Sequence, residues 1–367
     1  MPATPTARSK DTRTNFSPNM PGAPRSSSWW SSRKGGSPTN EPPHVRRIEK
    51  PFPRPPNGHA MRIPVCLIAV VSLAFVACHA VPPRDLGEAW RVMGGHGFTP
   101  GRFHVPRGLT FSADRLWVVD RSGRVQGFST DGTCLMEVKV MEGDKGFPLG
   151  LVGQDDGGFL LVDTHRGRLR WFDGNGLPKR VVQQPNPRDL PQRAARGPGG
   201  RLYVCEFGEG DANRIQVLSS DGRPLFSFGG YGREPGQLTR AMDVLIHGHE
   251  VYVADASDRI LVFDLEGVFL REWGESGVEP GQLRYPYGLA WRGDLLYVCE
   301  YANNRVQRFE ASGRSAGVFG RPGNREGEFK SPWAIITGPN GKLWIADAGN
   351  HRVVILDPEA VEWERGT

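Results

Sequence analysis

The sequence is poor in cysteine, with five in 367 residues. Cys66 and Cys78 lie in an apolar N-terminal run, which leaves Cys134, Cys205 and Cys299. An odd set of three without metal-ligand spacing excludes a disulfide framework and a cysteine-based zinc module. Net charge is also missing where a fold would need it for nucleic acid. The whole chain carries +6, but residues 1–60 hold ten Lys/Arg against three Asp/Glu. The remainder carries 36 basic and 37 acidic residues, a balance of −1. That removes the electrostatic footprint of a nucleic-acid partner. No Gly-rich phosphate loop and no serine-nucleophile elbow occurs. The apolar run over residues 63–77 is short for a membrane-spanning helix.

Proline and glycine, by contrast, are plentiful. Residues 1–60 hold 12 of the 31 prolines, a serine run at 26–28 and no apolar period. Such a segment buries too little apolar surface to offset its ordering entropy. It reads as a disordered extension or as sequence upstream of the true start. Residues 61–80 then present a Met, one positive charge, an apolar run and a small-residue end. That order is a secretory signal beginning at Met61. Phe75-Val76-Ala77-Cys78 resembles a bacterial lipobox and makes Cys78 the candidate lipid attachment, although leucine is usual at the Phe75 position. Cleavage near Ala80 and an uncleaved anchor, with the basic tail held cytoplasmic, are the alternatives. All three place the following domain outside the cytoplasm.

From residue 85 to 360 the chain repeats. Six apolar runs end in an acid: Asp120, Asp163, Glu206, Asp255, Glu300 and Asp347, at steps of 43, 43, 49, 45 and 47 residues. An arginine follows each by four to eight residues: Arg124, Arg168, Arg214, Arg259, Arg305 and Arg352. A second apolar run follows, then a glycine-containing turn and a third run. Fourteen or fifteen residues before each acid stands Pro106, Pro148, Pro191, Ala241, Pro286 or Pro332. Proline is tolerated at the first residue of a strand, where its missing donor lies outside the ladder. Each unit is therefore four short strands over roughly 45 residues, the size of a propeller blade. The predicted fold is all-β, a six-bladed β-propeller. The segment around Trp90 resembles the fourth strand at Trp273 and is predicted to complete the last blade, leaving no open ring edge.

Pro-Gly-Gln-Leu at 235–238 and 280–283, Tyr285-Pro286-Tyr287-Gly288-Leu289 and Asp347-Ala348-Gly349-Asn350-His351-Arg352-Val353 carry a family resemblance. The unit resembles the NHL repeat, best in units four to six, over about residues 85–360. The resemblance implies the fold but not one activity, because such propellers host enzymes, RNA binders and scaffolds. It also implies that the innermost strand follows the proline position. The next residue then stands near the mouth of the central channel: Arg107, Leu149, Gln192, Met242, Tyr287 and Trp333.

Two enzyme types make specific demands on such a set. The peptidyl-hydroxyglycine lyase, a propeller with the same repeat, holds zinc with histidines directed into its channel. None of the six mouth residues is histidine. His96, His104, His165, His247, His249 and His351 fall mostly in loops and acid-to-arginine turns. Calcium-dependent lactonases need converging oxygen ligands; here the mouth offers only Gln192, and Asp243 stands alone one step further on. No metal and no cofactor is therefore predicted. The repeated acids and arginines read as architecture, holding the turn after the second strand. Cys205 and Cys299 occupy equivalent places in non-adjacent units, too far apart to bridge. All three body cysteines read as small buried hydrophobes.

The positions where the copies differ remain: Arg107, Gln192, Met242, Tyr287 and Trp333, arginine and aromatics of the kind enriched at binding hot spots. The expected function is an exported or membrane-anchored scaffold. Its protein or small-molecule partner is expected on the face bearing the Pro-Gly-Gln-Leu loops. A hydrolase or lyase at the channel mouth is the alternative.

Overall fold

The computed structural model describes residues 84–85, 89–141, 148–184, 189–208 and 212–365. The predicted extension 1–60, the predicted signal 61–80 and Cys78 lie outside the described residues. Among the described residues, no helix is long and apolar enough to cross a membrane.

Apart from single 3₁₀ turns, the regular structure is β. Blade 1 comprises Pro106–Ser112, Arg115–Asp120, Arg124–Phe128 and Cys134–Lys139. Blade 2 comprises Gly150–Gly153, Phe159–Asp163, Arg168–Phe172 and Pro178–Gln183. Blade 3 comprises Leu190–Arg196, Leu202–Phe207, Arg214–Leu218 and Pro224–Gly229. Blade 4 comprises Ala241–His247, Glu250–Asp255, Arg259–Asp264 and Phe269–Trp273. Blade 5 comprises Pro286–Arg292, Leu295–Glu300, Arg305–Glu310 and Ser315–Phe319. Blade 6 takes Pro332–Thr337, Leu343–Asp347 and Arg352–Leu356 from the end of the chain. Within each blade the strands pair antiparallel in order from the innermost outward. The inner strands pack side by side in ring order, and the sixth meets the first.

Burial explains the apolar runs. Every residue of Phe159–Asp163 and of Leu343–Asp347 is buried, because both faces of the second strand are covered by neighbouring blades. Such strands read as continuous apolar runs rather than as alternation. Outer strands such as Phe269–Trp273 alternate between half-buried and exposed. The cores lie between blades; Tyr203, Cys205 and Ile215 of blade 3, for example, meet Val251, Val253 and Leu261 of blade 4. Cys134, Cys205 and Cys299 are buried thiols outside any disulfide, as expected.

The ring closes as predicted. Trp90–Gly94 is the fourth strand of blade 6, with Trp90 opposite Leu356 and Gly94 opposite Arg352. Arg84–Asp85 adds a short pairing outside it. Trp90 is 1 % exposed and packs on Phe329 and Phe319, with ring centroids 5.3 and 6.1 Å away. The C-terminal segment adds a contact that no periodicity announced. Val318 and Glu364 exchange both backbone hydrogen bonds, at 2.8 and 2.9 Å, on the outer edge of blade 5. Trp363 anchors this strap against Tyr297 and Phe319.

Candidate functional site at the channel mouth

The repeated acids and arginines form the frame around the mouth. All six pairs are joined: Asp120–Arg124, Asp163–Arg168, Glu206–Arg214, Asp255–Arg259, Glu300–Arg305 and Asp347–Arg352. The acids also accept amides of the incoming loop, such as Lys330 N to Asp347 at 2.7 Å and Arg284 N to Glu300 at 2.9 Å. The arginines hold the same loops from the other side. Arg124 donates to Arg102 O, Arg259 to Gln237 O and Arg352 to Glu328 O, each at 2.7 Å. These groups are consumed by structure and leave little for a ligand.

Five of the six predicted mouth residues share one backbone feature. In blade 1 Pro106 faces Asp120 while Gly108 faces Val119, so Arg107 is an extra residue in the ladder. The same bulge places Gln192, Met242, Tyr287 and Trp333. A bulge re-aims a side chain and interrupts pairing. Leu149 lies just before the shorter inner strand of blade 2.

The structure brings three of these together. The Arg107 guanidinium lies 4.6 Å from the Trp333 ring centroid. Tyr287 meets Trp333 edge-on at 5.0 Å, and Tyr301 from the acid-to-arginine turn of blade 5 joins both, 5.2 Å from Tyr287 and 5.8 Å from Trp333. Gln192 is buried, and its Nε2 has no hydrogen-bond acceptor. Met242 does not join the group; it is buried in the core between blades 4 and 5 with Leu289 and Leu296.

Several site residues escaped the sequence reading. Arg193, next to Gln192, is buried and crosses the channel. It donates to Arg107 O at 2.7 Å and to Trp333 O at 3.1 Å, linking blade 3 to blades 1 and 6. Arg240 stacks on Phe207 at 4.4 Å, and its Nε is buried without an acceptor. Burial lowers the Arg107 guanidinium to about 10, with Arg121 and Arg193 adding repulsion. The Asp243 carboxylate accepts Leu289 N at 2.9 Å and Val244 N at 3.0 Å. Burial raises it to about 6 against the partial compensation of Arg193. A charged residue inside an inner strand, as in Gln192-Arg193 and Met242-Asp243, was the signal available for both.

A cavity of about 740 Å³ lies elsewhere, lined by Ser112, Arg115, Asp156, Asp173 and Asn175 of blades 1 and 2. Two of its three acids are already engaged, Asp156 by Lys179 and Asp173 by the amides of Asn175 and Leu177. The channel mouth, with unmet buried donors beside aromatic faces, is the stronger candidate.

The expectation of no metal meets one new fact. His96, His104 and His351, scattered in sequence, converge with candidate ligand atoms within 4.8 Å of one another. The hydrogen bond of His351 does not suit a cation at that ring. His351 Nδ1 accepts the Val105 amide at 3.1 Å, so the other ring nitrogen carries the proton. A metal-bound imidazole instead donates from its second nitrogen to an acceptor. The His104 and His351 rings also lie stacked, 5.8 Å apart.

Comparison with known proteins agrees with this architecture. The NHL repeat model matches residues 329–356, the first three strands of blade 6 and the loop before them. No curated protein matches the sequence. Among solved structures, a streptogramin B lyase superposes with TM-score 0.54 at 15 % identity, covering 75 % of this chain and 99 % of that one. Virginiamycin B lyase from Staphylococcus aureus gives 0.53 at 18 %, covering 72 % and 85 %. A gluconolactonase from Xanthomonas campestris gives 0.58 at 17 %, covering 77 % and 96 %. At these identities the likeness concerns the fold. The six closed blades and the bulged inner strands make the chain a six-bladed β-propeller, in which one blade carries a recognisable NHL repeat.

Proposed function

We propose that this propeller is an exported binding module that captures a small anionic ligand with a flat apolar face at its channel mouth. The observation that carries the reading is the Arg107–Tyr287–Trp333 cluster, with the buried, unmet donor Arg240 Nε acting on Tyr287 and a second such donor, Gln192 Nε2, at the matching bulge of blade 3. A buried donor without a partner costs about 1–3 kcal/mol, a cost that an arriving acceptor relieves. Among the described residues, and beyond the paired acids of the frame, Arg107, Arg121, Arg193 and Arg240 outnumber Asp243 at the opening, so the acceptor should be negative. Calorimetric titration with benzoate, phenyl phosphate and neutral benzamide tests this. The anions should bind more tightly than benzamide, and Trp333→Ala should abolish the difference; equal binding of all three would sink the proposal.

A second reading is a hydrolase or lyase at the same mouth. Asp243 favours it, since a carboxyl held near 6 is suited to proton transfer near neutral pH. The likeness to lyases and a gluconolactonase supports the same reading. Turnover of a lactone panel that Asp243→Asn eliminates would establish it; no turnover of any lactone counts against it. Anchoring through Cys78 is part of the proposal. A chain started at Met61 should fractionate with membranes, and Cys78→Ala should release it.

A further inference from the structure

One hydrogen bond clasps successive blades in three seams. In each, the residue before the repeat arginine adopts left-handed backbone: Asp258 (φ 68°), Asn304 (φ 56°) and His351 (φ 56°). Its side chain accepts the amide of the residue preceding the next blade's inner strand. Asp258 takes Tyr285 N at 2.7 Å, Asn304 takes Ser331 N at 2.7 Å, and His351 Nδ1 takes Val105 N at 3.1 Å. The three amide donors are left-handed too, at φ 50°, 49° and 57°. For the β-branched Val105 that conformation is costly, so its surroundings must hold it.

Two seams thus use an oxygen acceptor that survives mild acid. The third uses an imidazole nitrogen that a proton can occupy. That third seam joins blade 6 to blade 1, where the two ends of the domain meet. Two more imidazoles crowd it. His96 lies 4.6 Å from His351 and His104 lies 5.8 Å away, centroid to centroid. Lys330 and Asp120 are the other charged groups facing His351, and Asp120, Arg121 and Arg107 face His104. His104 Nδ1 is buried without a partner.

We propose that the seam between blades 6 and 1 is a proton-operated latch. Protonation of His351 turns the acceptor into a second donor facing the Val105 amide. The two repel, and Val105 is released together with Pro106 and the mouth residue Arg107. A charged His96 or His104 adds to the repulsion. Burial and the neighbouring histidines hold His351 and His104 below the ordinary value of 6.5, against the opposing pull of Asp120. The folded value lies below the unfolded one. The clasp's stability is therefore complete above about pH 6.5 and is lost as pH falls below it. This inference does not depend on what the mouth binds.

The test copies the sibling seams. His351→Asn reproduces Asn304, and His351→Asp reproduces Asp258 should the first variant fail to fold. Melting temperature is measured between about pH 7.5 and pH 5 for the wild type, each variant and His249→Asn, an exposed histidine elsewhere. The wild type and His249→Asn should lose roughly 3–6 °C more on acidification than His351→Asn does. The protection factor of the Val105 amide in hydrogen exchange should drop on the order of tenfold in the wild type and His249→Asn but not in His351→Asn. Parallel acid profiles for wild type and His351→Asn would overturn the latch. So would zinc at pH 7.5 raising the melting temperature of the wild type but not of the variant, because that assigns the cluster to a metal.

Discussion

Replacing Trp90 by alanine should remove much of the ring's closure while leaving all six copies of the repeat intact. The indole is 1 % exposed and sits between Phe319, Phe329 and the third strand of blade 6. Truncating a buried tryptophan costs about 3–5 kcal/mol, through lost apolar burial and the cavity left behind. Its Nε1 has no hydrogen-bond partner, so no polar term adds to this. The Arg352 guanidinium lies 5.8 Å from the ring and contributes at most about 0.5–1 kcal/mol; it remains tied to Asp347 in the variant. At roughly 2–4 °C per kcal/mol for a domain of this class, the melting temperature should fall by about 6–20 °C. Differential scanning calorimetry reads this directly, and deleting residues 84–94 should lower it further by exposing the edge of Arg352–Leu356. Trp363→Ala is the control, because the C-terminal strap rests on one bridge and should cost less. A Trp90→Ala domain melting within about 2 °C of the wild type would refute closure as the source of stability.

Other expectations concern the channel and the thiols. Arg193→Met strips two main-chain carbonyls of their donor and should destabilise by about 2 kcal/mol or more in urea unfolding; it should also raise Asp243 further, as carboxyl NMR would report. Asp243 has a folded value of about 6 against an ordinary 3.8, so its contribution is complete below about pH 4 and lost as pH rises through 6. Asp243→Asn should therefore gain up to about 3 kcal/mol over the wild type across that interval. That trend has the opposite sign to the histidine latch, so the two variants separate the effects. Burial pushes the Cys205 and Cys299 thiols up, and neither should react with an aromatic disulfide reagent until the domain unfolds.

The blades were legible because each must bury both faces of its second strand and hold the following turn. Both demands recur at nearly fixed spacing, as Asp255–Arg259 and Asp347–Arg352 show. Trp90 was legible as the missing member of the last blade. The mouth was legible only in part. Arg107, Tyr287 and Trp333 followed from their register, but Met242 turned into the core because its thioether is better buried between blades. Arg193 was missed because crossing the channel is a long-range act, reaching carbonyls 86 and 140 residues away. The histidine cluster was missed for the same reason: His104 and His351 become neighbours only when the ring shuts.

The closing strand also sets the order in which this protein can be made. Trp90 emerges from the ribosome early, yet its partner Leu356 lies nearly at the other end of the domain. At ordinary synthesis rates the interval is on the order of tens of seconds. During it the Trp90–Gly94 segment offers unpaired amides and an uncovered indole to any neighbour, while blades 1 to 5 can assemble one upon the next. The last translated blade is therefore the step at which a nascent chain becomes safe from self-association. A ribosome stalled before residue 352 would hold five stacked sheets and one dangerous ribbon.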